Sequence, residues 1–329
     1  MDNVAVALTV FIVSGVVVVM SGIQLARSGD ALAEHTGWGH LWVGTIFLAG
    51  ATSLPELFTN AIAVSIDAPA IAVGTVLGAN MLNIFKLGVV GLVLGFLGKG
   101  FFQHVARETH MLALVTIGIA TLVLVLAWTE IDVRLWIFSA GGLAIFVAYL
   151  LGMRLVYKAG RNGPEESASR DEPALLKRAW RGFFIAALAI AAAAPFLAIS
   201  ADGLAETTGF SGSFIGVLFV SLVTSLPEAA AAIEAARQGN YALVMGNLYG
   251  SCTFNLGILA VIDPLYREGP ILGAFGSGHY AAALTGLSVM ILGWVAMQKP
   301  RLMGAPRWLG LIGIVALYPV GLFWVFILD

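Results

Sequence analysis

Long apolar runs of about 20 residues alternate along this chain with short clusters of charged and turn-forming residues. A run of that length crosses the hydrocarbon core of a bilayer as an α-helix, rising 1.5 Å per residue, so each predicts one membrane span. Ten can be marked off by where the charges fall: Val4 to Leu25, Gly39 to Ser65, Ala70 to Leu97, Thr109 to Trp128, Val133 to Met153, Ala179 to Ala201, Ser213 to Ala236, Tyr241 to Leu265, His279 to Met297 and Trp308 to Leu328. The expected fold is an all-α polytopic membrane protein. The first run has no basic residue before it and no small-residue cleavage site after it, and it exceeds a signal-peptide core, so it reads as a retained helix.

Composition supports the same class. Of 329 residues, 59% are hydrophobic and 11% charged, with mean hydropathy +0.93; soluble domains carry about 25% charged residues. A formal charge of -2 and the lack of a basic block argue against a nucleic-acid partner. The single cysteine, Cys252, allows neither an internal disulfide nor a cysteine-built metal cluster. With the N-terminus outside, all but three of the 17 Lys and Arg fall in inner loops: Arg134 and Arg267 are outside and Lys86 lies within a span. The positive-inside bias therefore predicts both termini outside. It also places the polar connector from Tyr157 to Leu176, the only linker-like stretch, in the cytoplasm. That connector is too short to fold alone, so no regulatory calcium-sensing domain is expected, and the compact size suits a prokaryotic inner (plasma) membrane.

Thr-Ser-Leu-Pro-Glu occurs twice, at Thr52 to Glu56 and Thr224 to Glu228, 172 residues apart. The same offset, without a gap, pairs Gly44 with Gly216, Phe47 with Phe219, Gly74 with Gly246, Gly78 with Gly250 and Asn83 with Asn255. Two halves follow, 1–156 (motif core 40–97) and 177–329 (motif core 212–269), joined by 157–176. Each half has five spans, an odd number, so the second begins on the opposite side of the membrane and the repeats are inverted. Inverted repeats with interrupted helices are an arrangement of secondary transporters, whose site lies near the bilayer midplane.

Pro55 and Pro227 cannot donate a backbone hydrogen bond, so the second and seventh spans should break at the motifs. Gly78 and Gly250 should let the third and eighth helices approach those breaks. Glu56 and Glu228 fall near mid-span, where a charged group is expensive and marks a functional site by default. Two carboxylates balance one divalent ion, and a hard cation takes about 6 to 8 oxygens. Glu56, Glu228, the carbonyls and hydroxyls of Thr52, Ser53, Thr224 and Ser225, and the amides of Asn83 and Asn255 offer such a set. Its lack of soft donors, Cys252 apart, favours calcium or sodium over zinc or copper. A lone Ser, Thr or Asn in a membrane helix serves most often as interhelical glue; the twice-occurring Glu beside a Pro is a different case. Glu234 and Asp263 lie nearer span ends and read as solvated.

The paired Thr-Ser-Leu-Pro-Glu segments, each followed one helix later by a Gly and, five residues on, an Asn, resemble the alpha-repeats of the sodium/calcium exchanger family of cation/calcium antiporters. The resemblance implies calcium binding by Glu56, Glu228 and the carbonyls of Thr52 and Thr224. It implies sodium sites that add Ser53, Ser225, the carbonyls of Ala49 and Ser221, and Ser251 with Asn83 and Asn255. It implies that the first and sixth helices slide against the rest. No cofactor is implied, since the ions are cargo, and no obligate protein partner beyond the lipid bilayer is evident.

Some positions depart from the family pattern. Ala79 stands where a serine is usual, Asn255 where an acid is usual in the second repeat, and Gly50 is followed by Ala51. Leu222 and Val223 replace small residues. Lys86 adds a positive charge one turn after Asn83. Each of the changes at Ala79, Asn255 and Lys86 lowers the capacity for several monovalent cations, so Lys86 is expected near Glu228 in place of one bound cation, or else to be neutral or to line a water-filled entrance. The expected function is exchange of calcium for sodium by alternating access, with proton-coupled exchange of calcium or another divalent ion as the alternative. An enzyme is disfavoured: His-Glu-x-x-His and Gly-x-Ser-x-Gly are absent and the histidines sit mostly at span ends. A channel is disfavoured because no filter of carbonyls repeats around an axis.

Overall fold

The computed structural model describes residues 3–36, 48–98, 101, 105, 107–130, 133–160, 173–298 and 307–329. Twelve helical elements carry it: α1 (Val4–Thr36), α2 (Ala49–Thr52), α3 (Leu54–Ser65), α4 (Pro69–Phe96), α5 (Arg107–Thr129), α6 (Ala140–Gly160), α7 (Pro173–Thr208), α8 (Gly212–Thr224), α9 (Leu226–Arg237), α10 (Tyr241–Ile262), α11 (Ser277–Ala296) and α12 (Arg307–Leu328). The only strands among the described residues form a two-residue hairpin, Arg134–Leu135 against Phe138–Ser139. Among the described residues, eight helices are long and apolar enough to cross a membrane, nine if the bent pair α8 and α9 is one span. Ten were expected. The second span falls partly on 39–47, outside the described residues, as do Gly44, Phe47 and connector residues 161–172.

Burial follows helical periodicity. On α1, Ala7, Phe11, Ser14, Val18 and Leu25 are buried, while Ile12, Val13, Val16 and Met20 face outward, the three-to-four-residue spacing of one stripe turned to protein. The outward faces of the other helices are also apolar, including Leu188 on α7 and Phe323 on α12, as lipid requires. Polar side chains are set into this apolar core: α4 and α10, the most enclosed of the spanning helices, carry buried Thr75, Asn80, Asn83, Asn247, Ser251, Thr253 and Asn255.

Element boundaries recur at the offset of the sequence repeat. Leu54–Ser65 returns as Leu226–Arg237 and the start of α4 at Pro69 as the start of α10 at Tyr241, each 172 residues later. The long helices α1 and α7 cover 33 and 36 residues. They pack extensively on one another. Helix α4 is crossed by α8, whose Ile215–Val220 stretch is π-helical. A Cβ on Gly78 would lie 2.2 Å from the Val217 carbonyl oxygen, and one on Gly216 2.5 Å from that of Ile71. The expected close approach of Gly78 is therefore present, directed at the segment that precedes the break of the other half.

Asp263 corrects one expectation. It is buried, not solvated: its carboxylate accepts the Ser139 amide at 2.6 Å, the Ser139 hydroxyl at 2.9 Å and the Ile271 amide at 3.0 Å. It ties the hairpin before α6 to the turn after α10. Glu234 is exposed beside Arg237, as expected of a helix end.

Candidate ion-binding site

The two motifs break their helices as the prolines demand. Helix α2 ends at Thr52 and α3 starts at Leu54; between them Ser53 has φ −91°, ψ 8°. Ser225, with φ −95°, ψ 12°, separates α8 from α9 in the same way, and there the axes bend by 45°. The missing N–H groups of Pro55 and Pro227 leave the Ala51 and Val223 carbonyls without their usual i+4 donors. A serine at a helix N-cap ordinarily satisfies a first-turn amide. Neither Ser53 nor Ser225 does so, which leaves both hydroxyls for other partners.

For Ser53 and its neighbour Thr52 those partners lie in the other half. Ser53 Oγ donates to Glu228 Oε1 at 3.0 Å, and Thr52 Oγ1 lies 3.5 Å from Ser251 Oγ. Glu56 and Glu228 are fully buried and close enough for their charges to interact. The Thr224 hydroxyl lies beside Glu56, yet both Glu56 oxygens and Glu228 Oε2 receive no well-formed hydrogen bond. Buried oxygens without donors are costly unless a cation takes the donors' place.

Lys86 reaches into this cluster from α4. Its Nζ donates to the Ser225 carbonyl at 2.5 Å and to Asn83 Oδ1 at 3.0 Å, and its charge acts on both Glu228 and Glu56. The residue is half-buried with its ammonium enclosed. Of the other expected donors, Ser225 Oγ turns back to the Ser221 carbonyl at 2.5 Å and Thr224 Oγ1 to that of Val220 at 3.0 Å. The Ala49 carbonyl accepts Ser53 N and Thr52 Oγ1, and the Ser221 carbonyl accepts Ser225 N and Ser225 Oγ. Both lone pairs of each are engaged, so an ion on either would displace a hydroxyl. Asn255 donates to Asn80 Oδ1 at 3.3 Å, and the Cys252 thiol faces the Asn80 carbonyl at 3.7 Å.

Several polar residues near the site do not recur in kind between the halves. Asn80 has Cys252 as its counterpart in the second half, and Asn60 has Ala232, so neither stands out as a repeated polar position. Asn60 and Thr59 extend the unpartnered polar face of α3 beyond Glu56, whereas the matching α9 positions are Ala231 and Ala232. Asn247 holds the Glu228 carbonyl at 3.2 Å. Polarity deep within a span was the signal that could have found them.

No group of three His, Cys, Asp or Glu side chains is gathered among the described residues. The oxygens here come instead from two carboxylates, amides, hydroxyls and backbone, the donor set of a hard cation.

A family profile described as "Sodium/calcium exchanger protein" matches residues 6–158 and 178–327. The chain belongs to the sodium/calcium exchanger family. It is thus a membrane transport protein and not an enzyme. Among relatives, it is 27% identical over 307 residues to the inner membrane protein YrbG of Escherichia coli, covering 89% of this chain and 90% of that one. It is 24% identical over 293 residues to the putative antiporter CaxA of Alkalimonas amylolytica, covering 86% and 89%. Among solved structures, the sodium-calcium exchanger NCX_Mj superposes with TM-score 0.64 at 22% identity over 97% of this chain and 98% of that one. Native YfkE superposes with TM-score 0.68 at 18% identity over 97% and 92%. The exchanger fold thus accounts for nearly the whole chain.

Proposed function

We propose that this protein is a secondary antiporter that exchanges calcium for sodium across a prokaryotic inner membrane, exposing one site near the bilayer midplane to each side in turn. The observation that carries this reading is the convergence of Glu56 and Glu228 from two broken helices, with three of their four oxygens lacking hydrogen-bond donors. Two buried carboxylates match the charge of one divalent ion, and family membership supplies the exchange chemistry. Calcium takes Glu56, Glu228 and the carbonyls of Thr52 and Thr224. Sodium draws on Ser53, Ser225, Ser251, Asn83, Asn255 and the carbonyls of Ala49 and Ser221. Ten spans in two inverted halves, with both termini outside, place the two breaks back to back.

Proton-coupled calcium exchange is the second reading. What favours it is Asn255, which brings an amide bonded to Asn80 where a further carboxylate would hold sodium.

Radioactive calcium uptake into liposomes containing the purified protein separates the two, with an outward sodium gradient in one set and an outward proton gradient in another. Uptake driven by sodium is expected, and it should fall to the level of protein-free liposomes in Glu56→Gln, Glu228→Gln. Uptake driven only by protons establishes the second reading, and none under either gradient rejects calcium as the cargo.

A further inference from the structure

We propose that the Lys86 ammonium is a tethered cation of the transport site: it permanently holds one monovalent-cation position, so that exchange of one divalent ion for two monovalent ions moves no net charge. This rests on the antiporter reading and adds its charge stoichiometry.

Position is the first argument. The ammonium is bonded to the Ser225 carbonyl and to Asn83 Oδ1, neutral oxygens of the kind that replace water around a sodium ion. It lies within electrostatic reach of both carboxylates. Helix α4 continues for ten residues beyond Lys86 to Phe96, about 15 Å of helix, too far for the side chain to snorkel to the membrane surface at that end. The groups facing it are Glu56 on α3, Glu228 on α9 and Cys252 on α10, with Tyr318 of α12 against the adjacent Phe85. An ammonium so enclosed is tolerable only because carboxylates compensate it.

The second argument is asymmetry. The counterpart of Lys86 at the repeat offset is Ile258, buried and apolar. Ser53 crosses to Glu228, but its counterpart Ser225 turns back on its own helix and makes no equivalent bond to Glu56. The half that departs from the repeat is the half whose break carbonyl the ammonium holds.

Charge counting then fixes the consequence. Two carboxylates and one ammonium sum to a single negative charge. One divalent ion brings the site to one positive charge, and so do two monovalent ions. Without the ammonium the same cavity has room and charge for a third monovalent ion, and exchange against one divalent ion becomes electrogenic.

The test measures sodium-driven calcium uptake in liposomes whose membrane potential is set by a potassium gradient and valinomycin. In the wild type, uptake is expected to be the same at zero and at inside-negative potential, with a sodium Hill coefficient of about two. Lys86→Gln should raise the coefficient by about one and make uptake potential-dependent, whereas Lys86→Arg, which keeps the charge, should remain potential-independent at whatever rate it retains. Potential-driven uptake by the wild type, or a Lys86→Gln protein with unchanged coefficient and potential response, overturns the proposal while leaving the antiporter reading intact. Calcium uptake absent from the wild type under every gradient overturns both. Potential-driven uptake by the wild type overturns the proposal even where a variant fails to fold.

Discussion

At the scale of single residues, the site and the scaffold use carboxylates for opposite ends. Three of the four oxygens of Glu56 and Glu228 receive no well-formed hydrogen bond, whereas Asp263 is saturated by Ser139 and Ile271. Asp263→Ala should therefore cost stability without touching transport chemistry. Hydrogen bonds to a charged group contribute about 1.5–3 kcal/mol each, so a clear fall in melting temperature in detergent is expected, with calcium flux per folded molecule near the wild-type value. At the site, Glu56→Gln alone should abolish uptake, because no other described acid can replace its charge there. Scintillation counting on reconstituted single variants checks it. The two glutamates and the motif hydroxyls were legible in the sequence because they recur in register. Asn80, Asn60 and Asn247 were not, since their counterparts are Cys252, Ala232 and Thr75 and only three-dimensional proximity joins them to the site. Asp263 was misread because nearness to a span end says nothing about the loop that folds over it.

At the scale of elements, the breaks govern everything near them. Proline chemistry located both to within two residues, and the structure adds that Ser53 and Ser225 sit between the helical pieces. The π-helical turn Ile215–Val220 was invisible to hydropathy, which registers apolar length and not hydrogen-bond register. It presses on α4 where glycine removes the obstacle. Gly78→Ala should drive a methyl into the Val217 backbone, an overpacking cost of about 1–3 kcal/mol. Gly95→Ala on the same helix meets nothing within 4 Å and should be neutral or slightly stabilising, since alanine is the better helix former. Thermal unfolding of the two variants side by side reads the difference, and equal destabilisation would contradict the close approach of α4 and α8.

At the scale of the whole molecule, α1 and α7 stand out by length: 33 and 36 residues give about 50 Å each, against a hydrocarbon core of about 30 Å. They must tilt or project into water, and their mutual packing makes them one unit lying across the breaks, with Gly22 of α1 against Pro227. Most spanning helices were readable from periodicity, eight or nine of the ten expected runs appearing among the described residues, whereas tilt and mutual packing were not, because lipid-facing and protein-facing apolar surfaces look alike in composition. The expected sidedness makes its own prediction. On intact cells, a membrane-impermeant maleimide should modify Glu268→Cys, in the turn after α10, and leave Lys158→Cys at the end of α6 untouched; the reverse pattern would invert the topology. The buried Cys252 gives these trials a practical advantage. Its thiol is the sole one in the chain and fully enclosed against Asn80, so the native protein is a silent background for fluorophores and spin labels. Any cysteine installed on α1 or α7 reports alone, so the proposed sliding of this pair against the other helices can be followed without first removing a residue beside the candidate ion site.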